Sequence, residues 1–211
     1  MEWLLGIDRE LLLLINGFNA PWCDEWMWNI SRSWTWLFLY ACMLGMVMYR
    51  YGWKRGLLIG VVIGCCVGLS DWLSSGVIKH LVCRPRPSRV EEWEGVVHLF
   101  NGYRSGLYGF VSSHAANTMS CGLLFSLVWR DWRVSLSMFL WVFMNCYSRV
   151  YLGVHYPGDI IGGLLVGSMF AIFGWLLLRR LDYRRDERSV GVWLHYVVGI
   201  VVILSLCLCL I

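Results

Sequence analysis

The chain has 211 residues, 58% of them hydrophobic and only 15% charged, with a net charge of +4 and a mean hydropathy of +0.59. A soluble globular domain carries roughly 25% charged residues, so this composition excludes one. It points to an all-α integral membrane protein, a single domain over residues 1–211, with no nucleic-acid partner expected and 14 Trp suited to the membrane–water interface.

The chain opens on MEWLLGIDRELLLLINGF, which lacks the basic start of a cleavable signal peptide. Asp8, Arg9 and Glu10 interrupt its apolar content, so it is too broken to span and reads as an amphipathic helix lying in the interface. Residues 1–30 form that interfacial N-terminal segment. A crossing helix needs about 20 apolar residues. Six segments qualify: 34–51, 56–78, 114–129, 134–152, 157–178 and 190–211. The expected architecture is a six-transmembrane-helix bundle with an N-terminal interfacial helix.

The links between these segments set the orientation. Arg50, Lys54 and Arg55 lie in the first, Arg130 and Arg133 in the third, and Arg179, Arg180, Arg184, Arg185 and Arg188 in the fifth. These ten of the 18 basic residues share one side, which the positive-inside rule makes cytoplasmic. The chain is therefore expected in the cytoplasmic (inner) membrane as a multi-pass protein. Lys79, Arg84, Arg86, Arg89, Arg104 and Arg149 fall in or beside the two loops of the opposite face. The charge count supports the orientation only if some of these have a function there. Of nine cysteines, seven fall inside apolar runs without metal-ligand spacing, and neither a metal nor a cofactor is expected. Cys23 and Cys83 lie outside the spans and could meet in an oxidising compartment.

Three clusters carry the chemistry, all on the outer face. The 79–113 loop begins with Lys79, six residues, then Arg86-Pro87. The next span opens at FVSSHAANT, placing Ser112, Ser113 and His114 at a helix N-terminus. The third cluster, SRVYLGVHYPGD, brings Ser148, Arg149, His155 and Asp159. Ionisable groups beside a bilayer are costly and mark a functional site by default. Lys79, Arg86 and Arg149 supply positive charge, and a guanidinium grips phosphate oxygens in pairs. A helix N-terminus adds free N–H groups and the positive end of its dipole, and Ser112 or Ser113 can cap it or donate a hydroxyl to the anion. Asp159 follows His155 by four residues, with Pro157 suited to the first turn of a helix between them. It can reach back to one ring nitrogen and leave the other free as nucleophile. His114 lacks such a carboxylate and fits the general acid.

These residues resemble the three signature motifs of the type 2 phosphatidic acid phosphatase family, membrane lipid phosphatases related to vanadium-dependent haloperoxidases. Lysine, six residues, Arg-Pro matches Lys79 to Arg86-Pro87, and Ser-Arg, five residues, His, three residues, Asp matches Ser148, Arg149, His155 and Asp159. Pro-Ser-Gly-His matches in part, because Val111 stands for the proline and Ser113 for the glycine. The likeness runs over about residues 70–165. It implies a six-span bundle with the site near the outer boundary, His155 forming a phosphohistidine, Asp159 supporting it and His114 protonating the leaving group. Lys79, Arg86, Ser112, Ser113 and Arg149 would hold the phosphate without a metal. Arg84-Pro85 repeats the Arg-Pro pair two residues early, and the family spacing selects Arg86.

The substrate expected is a lipid phosphate or diphosphate within the bilayer, with undecaprenyl diphosphate ranked first and a lipid A phosphate second; phosphatidylglycerol phosphate and phosphatidic acid also fit. The rival of another class is a non-catalytic lipid-phosphate carrier, which would have no use for an aligned His–Asp pair. A Ser112 or Ser113 acyl hydrolase lacks any nucleophile elbow. The long stretch 80–111 is expected to shape the head-group pocket, Asp71 to support the basic cluster, His80 and His98 to be loop residues, and His195 to pack between helices.

Overall fold

The computed structural model describes residues 2–181 and 188–209. Among them, regular structure is helical apart from one isolated bridge between Pro85 and Tyr108. Helix α1 (Glu2–Gly17) is two-faced: Asp8, Leu12 and Asn16, each four residues apart, are buried, while Trp3, Leu4 and Leu14, with Phe18 just past its end, are exposed. That spacing places one stripe inward. A second helix, α2 (Pro21–Ile30), begins with proline at its first turn, where the missing N–H would be unpaired in any case. The N-terminal segment is thus two helices, held by buried polar groups. Asn16 donates to the carbonyls of His98 (2.9 Å) and Tyr151 (2.7 Å), and Asp24 receives Tyr151 Oη at 2.7 Å and faces His98 Nε2 at 3.0 Å.

Each of the six apolar segments is a helix, with ends shifted by at most four residues except at the end of the second: α3 (Leu37–Tyr51), α4 (Trp53–Asp71), α6 (Ser113–Trp129), α7 (Trp132–Tyr151), α8 (Pro157–Arg180) and α9 (Leu194–Leu208). α4 runs on through a π-helical turn, Trp72–Ile78, into the short α5 (Lys79–Val82). The continuous stretch Trp53–Val82 and α8 are long and apolar enough to cross a membrane, and α9 is a shorter apolar helix. Arg184, Arg185 and the last two residues of the expected 190–211 span lie outside the described residues.

α6 and α8 form the most extensive helix pair. Their contact is built from small residues, Ala115 and Ala116 against Gly163 and Gly167, and a methyl added at Gly167 would sit 2.9 Å from Met119 Cβ. Small residues let helix backbones approach where lipid gives no hydrophobic drive to associate. At one end of the bundle the basic links gather. Arg50 donates to Trp129 O (2.6 Å), Tyr51 Oη to Val128 O (2.9 Å), and Arg188 N to Arg50 O (2.8 Å). His195 belongs to this end, accepting from Trp129 Nε1 at 3.0 Å and facing Asp131 at 3.4 Å. It therefore has polar partners beyond packing. The 79–113 segment, the start of α6, the end of α7 and the start of α8 lie together at the other end. All nine cysteines are free: Cys23 is buried in α2, and Cys83 is exposed at the left-handed residue ending α5.

Candidate active site

The π-helical turn adds a residue to α4, which rotates whatever follows relative to a regular helix. Lys79 follows it and donates from Nζ to Ser113 Oγ at 3.2 Å. Ser112 is buried and caps α6, its Oγ accepting from Ala115 N at 3.4 Å. The two serines thus divide their work: Ser112 secures the helix start and Ser113 meets the lysine. The first N–H groups of α6 have no partner within the helix. His114, on the first turn, bonds the backbone of Ser31.

The 83–112 segment folds back on itself rather than running as a bare loop. Arg86 N donates to Leu107 O (3.2 Å) and Gly109 N to Arg84 O (2.9 Å), with short 3-10 turns at Pro87–Arg89, Glu91–Trp93 and Phe100–Gly102. Gly109 lies so close to the site that an added Cβ would be 2.7 Å from Asp159 Oδ2. His98 pairs with Asp24 instead of standing as a simple loop residue.

Arg149 ends α7, buried, where it bonds Ser31 Oγ and Tyr103. The chain then turns at Gly153, whose φ of +67 is left-handed and whose Cα faces Val97 and the carbonyl of His98. Only glycine adopts that conformation without strain, and the turn delivers His155 to the basic cluster. His155 Nδ1 lies 3.3 Å from Asp159 Oδ2, and its Nε2 lies 2.8 Å from Arg86 Nη1, which also donates to Val154 O at 3.0 Å. With a guanidinium donating to Nε2, the ring proton sits on Nδ1 against the carboxylate and the Nε2 lone pair faces the cations. Burial first, then the charges of Arg86, Arg149 and Lys79, hold His155 well below its ordinary value of 6.5, so the ring is neutral at neutral pH. Burial and Arg149 lower Arg86 to about 10, and it remains charged.

Every expected site residue is therefore found at this end of the bundle. Among the described residues no salt bridge joins Lys79, Arg86 or Arg149 to a carboxylate. The Nε atoms of Arg86 and Arg149 are buried without any partner, although buried donors are nearly always paired. An oxyanion would complete all three cations. Asp71 lies close enough to act on the Lys79 charge, but its hydrogen bond is from Asn117 Nδ2 at 3.0 Å.

Sequence reasoning missed four polar residues. Ser31 and Tyr103 hold Arg149, and Arg84 is bonded to Asp159 and to Asp8. The repeated Arg-Pro pair was the signal for Arg84, and its two carboxylate partners separate it chemically from Arg86. Nothing local marks Ser31 or Tyr103.

Beside these groups opens a cavity of about 610 Å³, lined at the site end by Asp71, Ser113, His114 and Asn117 and along α3 and α4 by Leu44, Val47, Leu57 and Gly64. From Asp71 to Leu57 it follows 14 residues of α4, about 21 Å at the α-helical rise. One leaflet of hydrocarbon is about 15 Å, so the groove is long enough to lie along a whole lipid tail.

Residues 57–183 match the model of the PAP2 superfamily. The chain is 35% identical over 177 residues to the lipid A 4'-phosphatase of Bacteroides thetaiotaomicron, covering 83% of this chain and 77% of that protein. It is 26% identical over 170 residues to the undecaprenyl-diphosphatase of Sulfolobus acidocaldarius, covering 79% and 76%. Its fold is similar to the crystal structure of the first transmembrane PAP2 type phosphatidylglycerolphosphate phosphatase from Bacillus subtilis, with a TM-score of 0.65 at 21% identity over 86% of this chain and 89% of that one.

Proposed function

The chain belongs to the PAP2 superfamily, and from that premise we propose that it removes phosphate from a lipid phosphate at the extracytoplasmic face of the inner membrane, through a phosphohistidine on His155. A membrane lipid phosphatase, a hydrolase, follows from the family and its named relatives. One observation carries the finer reading: two buried guanidinium groups and a lysine, none paired to a carboxylate among the described residues, stand beside a neutral, carboxylate-backed histidine, and an apolar slot opens next to them at Ser113 and His114.

In the proposed reaction Arg86 transfers its fork from His155 to the phosphate. Arg149, Lys79 and the N–H groups of α6 bind the other oxygens, with Ser112 and Ser113 supporting them. His155 Nε2 attacks phosphorus, the bond to the lipid oxygen breaks, and His114 protonates that oxygen. Asp159 stabilises the imidazolium that forms on His155. In the second step water, giving its proton to His114, forms the new P–O bond and the P–N bond breaks. His114 must enter the first step as the imidazolium. A bound phosphate dianion would favour that form by neutralising Arg149, Lys79 and Arg86, the charges that oppose it. Water restores the proton in the second step, so no metal enters the scheme. The expected six-span bundle, with its basic links on the cytoplasmic side, supports an outer-face site, where the bilayer would deliver an amphiphile.

The likeness of 35% to a lipid A 4'-phosphatase against 26% to an undecaprenyl-diphosphatase supports the opposite order from the one expected from the sequence. A lipid A-type phosphomonoester comes first and undecaprenyl diphosphate second. The test is phosphate release by the detergent-purified protein with chelator present, across lipid A, undecaprenyl diphosphate, phosphatidylglycerol phosphate and phosphatidic acid. Lipid A turnover that exceeds the others and vanishes in His155→Ala and His114→Ala is expected. Release from none of them, or full activity in His155→Ala, would contradict the proposal.

A further inference from the structure

The proposed reaction has no evident need for α1, yet the buried acid of that helix reaches the site. Asp8 Oδ2 accepts from Arg84 Nη2 at 2.6 Å, and Asp8 Oδ1 accepts from Gly158 N at 2.6 Å, one residue ahead of Asp159. Arg84 gives its other arm, Nη1, to Asp159 Oδ1 at 2.9 Å and lies over the Tyr156 ring at 4.0 Å. Asp159 is left with Oδ2, which faces His155 Nδ1 at 3.3 Å and accepts from Tyr156 N at 3.1 Å. The guanidinium fork is thus split between two carboxylates. Undivided, such a fork closes on one carboxylate with two parallel bonds. On Asp159 it would take Oδ2 away from His155.

We propose that Asp8 is a positioning residue for catalysis: by holding one arm of Arg84, and the backbone of Gly158, it reserves Asp159 Oδ2 for His155. The N-terminal helix is then a working part of the site rather than an anchor alone. Its exposed face, with Trp3, Leu4, Leu14 and Phe18, seats in the membrane interface while its inner face sets the His–Asp pair. This inference rests on the proposed roles of His155 and Asp159.

The test measures kcat and KM, per folded protein, for Asp8→Asn, Asp159→Asn, Arg84→Gln and their pairs, with phosphate release from the best lipid of the panel above. Asp8→Asn is expected to lower kcat roughly tenfold to a hundredfold, a part of what loss of an orienting carboxylate brings, with KM unchanged. On the Asp159→Asn background Asp8→Asn adds less than about twofold, because residues acting through one another are not additive. Arg84→Gln restores part of the kcat that Asp8→Asn loses, since the competing fork is gone. Equal factors in both backgrounds, or a change confined to KM, would overturn the role. Leu12→Ala loosens the same helix; a matching fall in kcat there would assign the effect to helix seating and overturn it as well. If Asp8→Asn does not fold, Asp8→Glu serves: a wild-type kcat there would count against the placement of the carboxylate. An Asp159→Asn enzyme with full kcat would instead sink the His–Asp reading on which the inference stands.

Discussion

Replacing Arg86 by lysine separates the guanidinium's geometry from its charge. Arg86 Nη1 bonds Val154 O and His155 Nε2 at 3.0 and 2.8 Å, and its Nε is buried without a partner. A bound phosphate would take two charge-assisted bonds from the fork, each contributing about 1.5–3 kcal/mol. Lysine keeps the charge and at most one of those bonds, and the Val154 carbonyl loses its donor, which costs about 1–3 kcal/mol when buried. The Val154 cost falls on folding and is common to free and bound enzyme, so kcat/KM loses only the missing phosphate bond, about 1.5–3 kcal/mol or roughly 10- to 150-fold. The assay is phosphate release from lipid in mixed micelles, with folding checked by thermal midpoint. Arg84→Lys is the partner experiment: that arginine binds carboxylates rather than substrate, so its loss should fall on kcat with KM kept. An Arg86→Lys enzyme within about threefold of wild type would refute the phosphate-fork reasoning.

Two further outcomes follow from the same geometry. His155 is held neutral well below 6.5 in the folded protein, whereas the unfolded chain takes up its proton near 6.5. The unfolded state therefore binds more protons below that pH, and the contribution is whole above it and lost as pH falls, by up to about 1.4 kcal/mol per unit. Denaturation of wild type and His155→Gln between pH 7.5 and 5.5 should show wild type losing the greater stability; parallel curves would contradict the neutral burial. Gly64 lines the slot, and an added Cβ there meets nothing within 4 Å. Gly64→Leu should fill it and lower kcat/KM for long-chain lipid phosphate by roughly tenfold or more, in the range that pocket shape discriminates. Turnover of a short-chain soluble phosphate ester should hold, and equal losses on both would show the slot does not receive the tail.

The helices and the three clusters were legible because each leaves a local mark. A run of about 20 apolar residues is a helix in a membrane chain, and Lys79, Arg86, His114, Arg149, His155 and Asp159 stand at fixed spacings beside such runs. The ends were less legible where the chain stayed helical past its apolar stretch, as in the π-helical turn that carries α4 through Lys79. Ser31, Arg84 and Asp8 were not assigned, for a different reason. Asp8 bonds Arg84 from 76 residues away, and on the sequence it is only a charge that breaks an apolar helix. Which partner compensates a buried acid is decided by tertiary packing, to which hydrophobic periodicity is blind. The same holds for Asp24 and His98, whose pairing ties α2 to the loop.

In the proposed reaction His155 carries the phosphoryl group. The direct measurement is acid-quenched single turnover with lipid phosphate labelled on phosphorus, followed by mapping of any label to a peptide at alkaline pH, where phosphohistidine survives. Transient label is expected on the peptide holding His155, more of it in His114→Ala if the slowed step is hydrolysis, and none in His155→Ala. Label on another residue, or full turnover with no protein-bound phosphate at any time, would contradict it.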